Sequence, residues 1–137
     1  MALPRLLAPR RRLAIAADAA ANVVFAVVGL VSHHASPGAF AHDALPLLGG
    51  WFVAAAVTQL YVRPSVGRLL LTWAAGITAG VVVRALILGR DLNGREAAFL
   101  AVSLVFTLLF VLAARAAAVV VTRRRTIPRP ERTRPPS

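Results

Sequence analysis

Residues Leu69 to Gly89 read LLLTWAAGITAGVVVRALILG, an apolar run broken by a single charge at Arg84. At about 1.5 Å per residue a helix of this length covers roughly 32 Å, enough to cross the ~30 Å hydrocarbon core of a bilayer. Working outward from it, three further apolar runs lie near Leu13 to Ser32, Ala44 to Val62 and Ala97 to Val121. Breakers separate them: Ser36-Pro37-Gly38, Arg63-Pro64-Ser65 with Gly67, and Asn93-Gly94. The connections are short, so consecutive helices pack antiparallel. The expectation is an all-α integral membrane four-helix up-and-down bundle spanning residues 13–121, with an Arg-rich arm over 1–12 and a basic, Pro-rich, disordered tail over 122–137. The two hairpins share no internal repeat beyond hydropathy.

Composition supports this class. The 137 residues are 58% apolar with a mean hydropathy of +0.72, beyond what a soluble domain of this length carries. No cysteine is present, which excludes disulfide and thiol chemistry. The net charge of +11 comes from arginines clustered at the ends of the apolar runs, not from a folded basic face. Nucleic acid is therefore not an expected partner.

Orientation follows from the arginines. Arg5, Arg10, Arg11 and Arg12, then Arg63 and Arg68, then Arg123, Arg124, Arg125, Arg129, Arg132 and Arg134 fall on one side. The other side has Arg90 and Arg95, offset by Asp91 and Glu96. The positive-inside rule puts both termini in the cytoplasm, and the chain in the plasma membrane as a multi-pass protein. Its Arg-rich ends would then lie against anionic lipid headgroups. An alternative reading takes the first run as a cleaved signal peptide, with Ala39-Phe40-Ala41 as the processing site. Its length and its Asp18 and Asn22 argue against that.

Polar residues inside the runs carry the most information, because a charge at the centre of a membrane helix costs about 2.5–3.5 kcal/mol on insertion scales. At 1.5 Å per residue, Asp18 lies about 8 Å and Asn22 about 14 Å from the cytoplasmic edge. Arg115, about 27 Å down the oppositely directed fourth helix, returns to the level of Asp18, whereas Arg84 lies about 22 Å up the third. Depth thus predicts an ion pair of Asp18 with Arg115 and not with Arg84. Thr58 and Gln59 would complete this inner layer. An outer cluster would gather Arg84 with Ser103, Ser32, His33, His34 and Asp43, or Arg84 would snorkel to the headgroups.

Helical spacing aims these groups inward. Asp18 and Asn22, continued by Phe25 and Gly29, share one face; so do Ser103, Thr107, Val111 and Arg115, and so do Thr72, Gly76, Gly80 and Arg84. A polar-or-small stripe faces protein, where Thr72, Gly76, Gly80 and Gly29 would allow close helix packing.

Other constellations carry less. His33, His34, His42 and Asp43 supply ligand types that suit zinc or copper. Adjacent histidines rarely reach one ion, however, and no helical spacing organises them, so neither a metal nor another cofactor is expected. No nucleophile-base set, phosphate-binding loop or carboxylate pair is present, and no catalytic residue and no enzyme activity are expected. Trp51, Tyr61 and Trp73 near the span ends suit interfacial anchoring.

Asp18, Val24-Phe25-Ala26 with Gly29 and Ser32-His33, then Thr72, Gly80 and Arg84, then Phe106 to Arg115, resemble the bacterial and archaeal membrane family called domain of unknown function 3054 (DUF3054). The resemblance covers Asp18 to Arg115. It implies a small four-helix membrane protein, common in actinobacteria, and no particular activity. Two functions are compatible with these residues. One is a non-enzymatic structural or interaction component, with a membrane-protein partner or as a homo-oligomer. The other is a small oligomeric transporter or channel whose polar path is lined by Asp18, Asn22, Thr107 and Arg115.

Overall fold

The computed structural model describes residues 1–34 and 36–127. Four helices account for most of them: α1 (Arg11–Ser32), α2 (Pro37–Thr58), α3 (Val66–Ile87) and α4 (Gly94–Arg125), preceded by a 3₁₀ turn at Arg5–Leu7. All four are long and apolar enough to cross a membrane. There is no strand among the described residues.

Local chemistry explains where the helices start and stop. Ser36 caps α2, its Oγ accepting from the Ala39 N–H, with Pro37 at the first helical position where its missing donor costs nothing. Ser65 caps α3 through the Arg68 N–H, and the Asn93 carboxamide oxygen accepts from Arg95 and Glu96 at the start of α4. α2 ends at Gln59, whose left-handed backbone (φ 56°) lets the Leu60 N–H return to the Ala55 carbonyl. Gly89 closes α3 the same way: at φ 61° it lets the Arg90 N–H reach the Ala85 carbonyl.

These signals shift the expected bounds. α2 begins seven residues before Ala44, because Ser36-Pro37 starts a helix where hydropathy suggested a loop, and it stops before Val62. α4 begins at Gly94, so Glu96 belongs to its first turn. At 32 residues α4 is about 48 Å long, more than hydrocarbon alone requires. Thr122 to Arg125, expected in the tail, continue it; the rest of the expected disordered tail, from residue 128 on, lies outside the described residues. Ala39-Phe40-Ala41, the processing site of the alternative signal-peptide reading, lies in the first turns of α2.

Each helix packs against its sequence neighbour, and α1 also packs against α4, closing an antiparallel up-and-down ring. One end, here the proximal end, holds the 59–65 turn, the N-terminal segment and the last turn of α4; the other, the distal end, holds the end of α1, the start of α2 and the 88–93 connection. Trp51, Leu47, Ile77, Val81 and Val111 form the centre of the core. The outward flanks are apolar: Val53, Val57, Leu71, Leu86, Val105 and Leu109 are all exposed.

The tightest interface joins α2 and α3. A Cβ added to Gly80 would lie 2.8 Å from the Pro46 carbonyl oxygen, and one added to Gly76 would lie 2.9 Å from the Gly50 oxygen. On the facing helix, a Cβ at Gly50 would collide with the Gly76 carbonyl and lie 2.9 Å from the Gly80 nitrogen. Here the two backbones touch. The Thr72, Gly76, Gly80 and Arg84 stripe is buried as its spacing predicts. Gly29 differs from the expectation: nothing lies within 4 Å of a Cβ placed there, so it is not a packing position.

Candidate functional site

Two charged networks occupy the interior, one at each end. At the proximal end Asp18 of α1 meets Arg115 of α4 in a two-pronged ion pair: Nε donates to Oδ1 at 2.7 Å and Nη2 to Oδ2 at 2.6 Å. Both residues are at most 1% exposed. This fork geometry is the strong form of a guanidinium–carboxylate contact, and it fixes the register of α1 against α4. The remaining Arg115 nitrogen, Nη1, donates to the Leu7 carbonyl at 3.2 Å. The N-terminal arm also packs onto the bundle, with Leu3 against the core and the Met1 carbonyl accepting from the Val66 N–H.

Tyr61 completes the network. Its hydroxyl donates to Asp18 Oδ2 at 2.7 Å and accepts from Trp51 Nε1 at 3.0 Å. The turn after α2 brings the phenol there. Burial, and after it the adjoining Asp18 carboxylate, push the phenol above its ordinary range, so it stays protonated and donates. These aromatics do not sit as interfacial anchors: Trp51 is fully buried, and Trp73 donates to the Leu104 carbonyl at 2.8 Å. Gln59, expected in this layer, is instead an exposed helix terminator, because its left-handed backbone turns the chain away there. Thr58 reaches Thr72 on α3 at 2.6 Å, and its carbonyl accepts from Arg68 at 2.8 Å.

At the distal end Arg84 does not snorkel. It is 6% exposed, donating through Nε to Asp43 at 2.5 Å and through Nη1 to Glu96 at 3.4 Å, with its guanidinium 4.2 Å from the Phe99 ring centroid. Arg90 continues the chain of charges to the other Glu96 oxygen at 3.4 Å. Of the expected neighbours, Asp43 is a partner. Ser103 is buried below, and Ser32, His33 and His34 are exposed and make no hydrogen bond to Arg84. Glu96 was missed because it lies just outside the apolar run and looked like a loop charge.

Between these ends lie Asn22, Ser103 and Thr107. Asn22 Nδ2 donates to the Asp18 carbonyl at 2.9 Å, and Thr107 donates to its own helix at the Ser103 carbonyl. Asn22 Oδ1 and Ser103 Oγ, both buried, have no partner among the described residues.

A cavity of about 930 Å³ opens above this level. Phe25, Phe99, Phe106 and Phe110 line its apolar part, and Asp43, Arg84, Arg90, Arg95 and Glu96 its charged part. His33 and His42 are at its rim, as is Gly29. Among the described residues no three His, Asp or Glu side chains gather as a metal ion would require.

Fold and site together define a class: an all-α up-and-down bundle whose four helices are each long enough and apolar enough to cross a membrane, with buried polar groups on inward stripes and ion-pair networks at both ends. The chain belongs to the family described as protein of unknown function (DUF3054), whose model matches residues 15–118. No curated protein and no solved structure matches it. The matched span begins after the N-terminal turn and takes in Asp18, Tyr61, Arg84, Glu96 and Arg115.

Proposed function

We propose that the chain is a four-span integral protein of the plasma membrane, both termini cytoplasmic, acting as a non-enzymatic structural or interaction component. The observation that carries this is the closed state of the Asp18 network. Arg115 uses all three nitrogens on protein acceptors, both Asp18 oxygens are engaged, and neither residue is solvent-accessible. A buried pair in which each guanidinium nitrogen and both carboxylate oxygens have a protein partner acts as a register lock, whereas a relay needs a group that can exchange its partner. The apolar flanks then face lipid or a partner helix, and the Arg-rich proximal end lies beside anionic headgroups.

Asp18→Leu should lower abundance and thermal stability by leaving Arg115 charged and alone. Asp18→Leu combined with Arg115→Met should restore both, since a well-packed apolar pair replaces a buried ion pair at little cost. Failure of the double variant to recover sinks the register-lock reading. The absence of native cysteine makes orientation testable as well: a cysteine at His34 should react with an impermeant maleimide from outside intact cells, and one at Arg63 only after permeabilisation. The reverse pattern would overturn the orientation.

One observation favours a transporter or channel instead. Asn22 Oδ1 and Ser103 Oγ, buried inside the bundle, lack partners among the described residues, as groups lining a polar path through it would. That reading requires Asn22→Leu to abolish flux in proteoliposomes at normal abundance.

A further inference from the structure

The distal cavity has the size of a ligand site, about 930 Å³ against roughly 300–1,000 Å³ for typical binding pockets. Its chemistry is divided by position. The deep part is phenyl-lined: Phe25 of α1 and Phe110 of α4 stand 6.5 Å apart, and Phe106 lies 6.2 Å from Phe110. The upper part is charged and rigid, because Arg84 is clamped between Asp43 and Glu96 and stacked on Phe99.

Arg84 is not satisfied by that clamp. A guanidinium has five N–H donors, and among the described residues Nη2 donates to no acceptor. A cation 94% removed from solvent, lining a cavity with free donors, calls for an oxyanion. The lining charges agree, since Arg84, Arg90 and Arg95 outnumber Asp43 and Glu96 by one.

The mouth indicates where such a ligand comes from. Val28 of α1 and Val102 and Phe106 of α4 line the cavity and are about half exposed, and the lining residues His33, His42, Leu88, Arg90 and Arg95 are exposed too, so it opens on the apolar flank beside α1 and α4 as well as at the distal end. Gly29 leaves that rim without a side chain. In a membrane this opening meets acyl chains, while Arg84, about 27 Å along α3 from Val66, lies near headgroup level.

We infer that the cavity is a site for an anionic phospholipid entering laterally between α1 and α4, with a phosphate oxygen on Arg84 Nη2 and an acyl chain among the four phenyl rings. The inference rests on the membrane-spanning reading and is independent of the register-lock role of Asp18. Basic pockets between membrane helices bind headgroups on the cytoplasmic side through this chemistry, and the distal cavity would do so in the opposite leaflet.

The test uses the full chain in a neutral detergent, with phosphatidylglycerol, phosphatidylcholine and oleate titrated separately and occupancy read by native mass spectrometry. Phosphatidylglycerol should bind at least about fivefold more tightly than phosphatidylcholine, the margin expected from one basic residue near an anionic headgroup. Gly29→Phe fills the rim where nothing packs, so it should abolish that preference while leaving the lipid-free melting temperature unchanged. Arg84→Gln should weaken phosphatidylglycerol binding by a larger factor than phosphatidylcholine binding, since both offer a phosphate oxygen but only phosphatidylglycerol carries a net negative charge. Equal binding of both phospholipids, binding of oleate alone, no retained lipid, or an undiminished preference in Gly29→Phe each overturns the assignment. Carbonate extraction of native membranes reads the underlying premise separately. Protein left in the pellet upholds the spans even where the lipid site fails, and release into the wash removes both.

Discussion

Arg115 illustrates how a residue's surroundings set the consequence of changing it. Removing its counter-charge by Asp18→Ala leaves a guanidinium buried without an ion partner, and the expected loss is about 3–5 kcal/mol, measurable by unfolding in detergent. Tyr61→Phe keeps the ring and removes one donor to the carboxylate, so a smaller loss of about 1.5–3 kcal/mol is expected. Tyr61 also gives the bundle a basic limit. Its folded-state pKa is raised, so its contribution is complete below the ordinary tyrosine value near 10 and declines as pH rises beyond it. Melting temperature should therefore fall above about pH 10 in the native chain, and Tyr61→Phe should flatten that part of the profile. The Asp18–Arg115 pair was legible from depth along two antiparallel helices, because rise per residue is nearly constant. Tyr61 was not, because its position depends on a turn that folds it back from the end of α2.

Among the elements, α2 and α3 show which glycines matter. Pro46, Gly50, Ala54 and Thr58 recur every four residues on α2, and the contacts of Gly80 with Pro46, Gly76 with Gly50 and Ala54, and Thr72 with Thr58 pair this stripe with that of α3. Gly50→Ala or Gly80→Ala must push two backbones apart and should cost about 1–3 kcal/mol or more. Gly29→Ala meets open space and should be neutral or stabilising by up to about 1 kcal/mol, since it removes the glycine penalty within a helix. A denaturation series over these three variants checks the ordering. The α3 stripe was evident from spacing alone. Its partner on α2 carries the same signal, masked because proline and paired glycines look like breakers.

For the whole molecule, the N-terminal segment is the main surprise. It closes the proximal end by giving Arg115 the Leu7 carbonyl and packing Leu3 on the core. Deleting residues 1–8 should therefore lower stability by about 1–3 kcal/mol, the range for a lost bond to a buried charged group, with the effect read as a drop in melting temperature. A segment merely lying on lipid would give no such drop in lipid-free detergent. What the amino-acid sequence determined by itself is whatever follows from length, period and hydropathy: four helices of membrane-crossing length, their antiparallel order, the inward stripes and the depth match of Asp18 with Arg115. Each rests on regular helical geometry, which converts sequence distance directly into space. Only the tertiary structure decided that Asp43 and Glu96 hold Arg84, that Tyr61 and Leu7 complete the Asp18 network, and that all four helices surround a phenyl-lined cavity at the distal end. These depend on turns, caps and the tilt of one helix against another, where a few degrees at one residue move a distant side chain by several ångströms and no sequence period records the result.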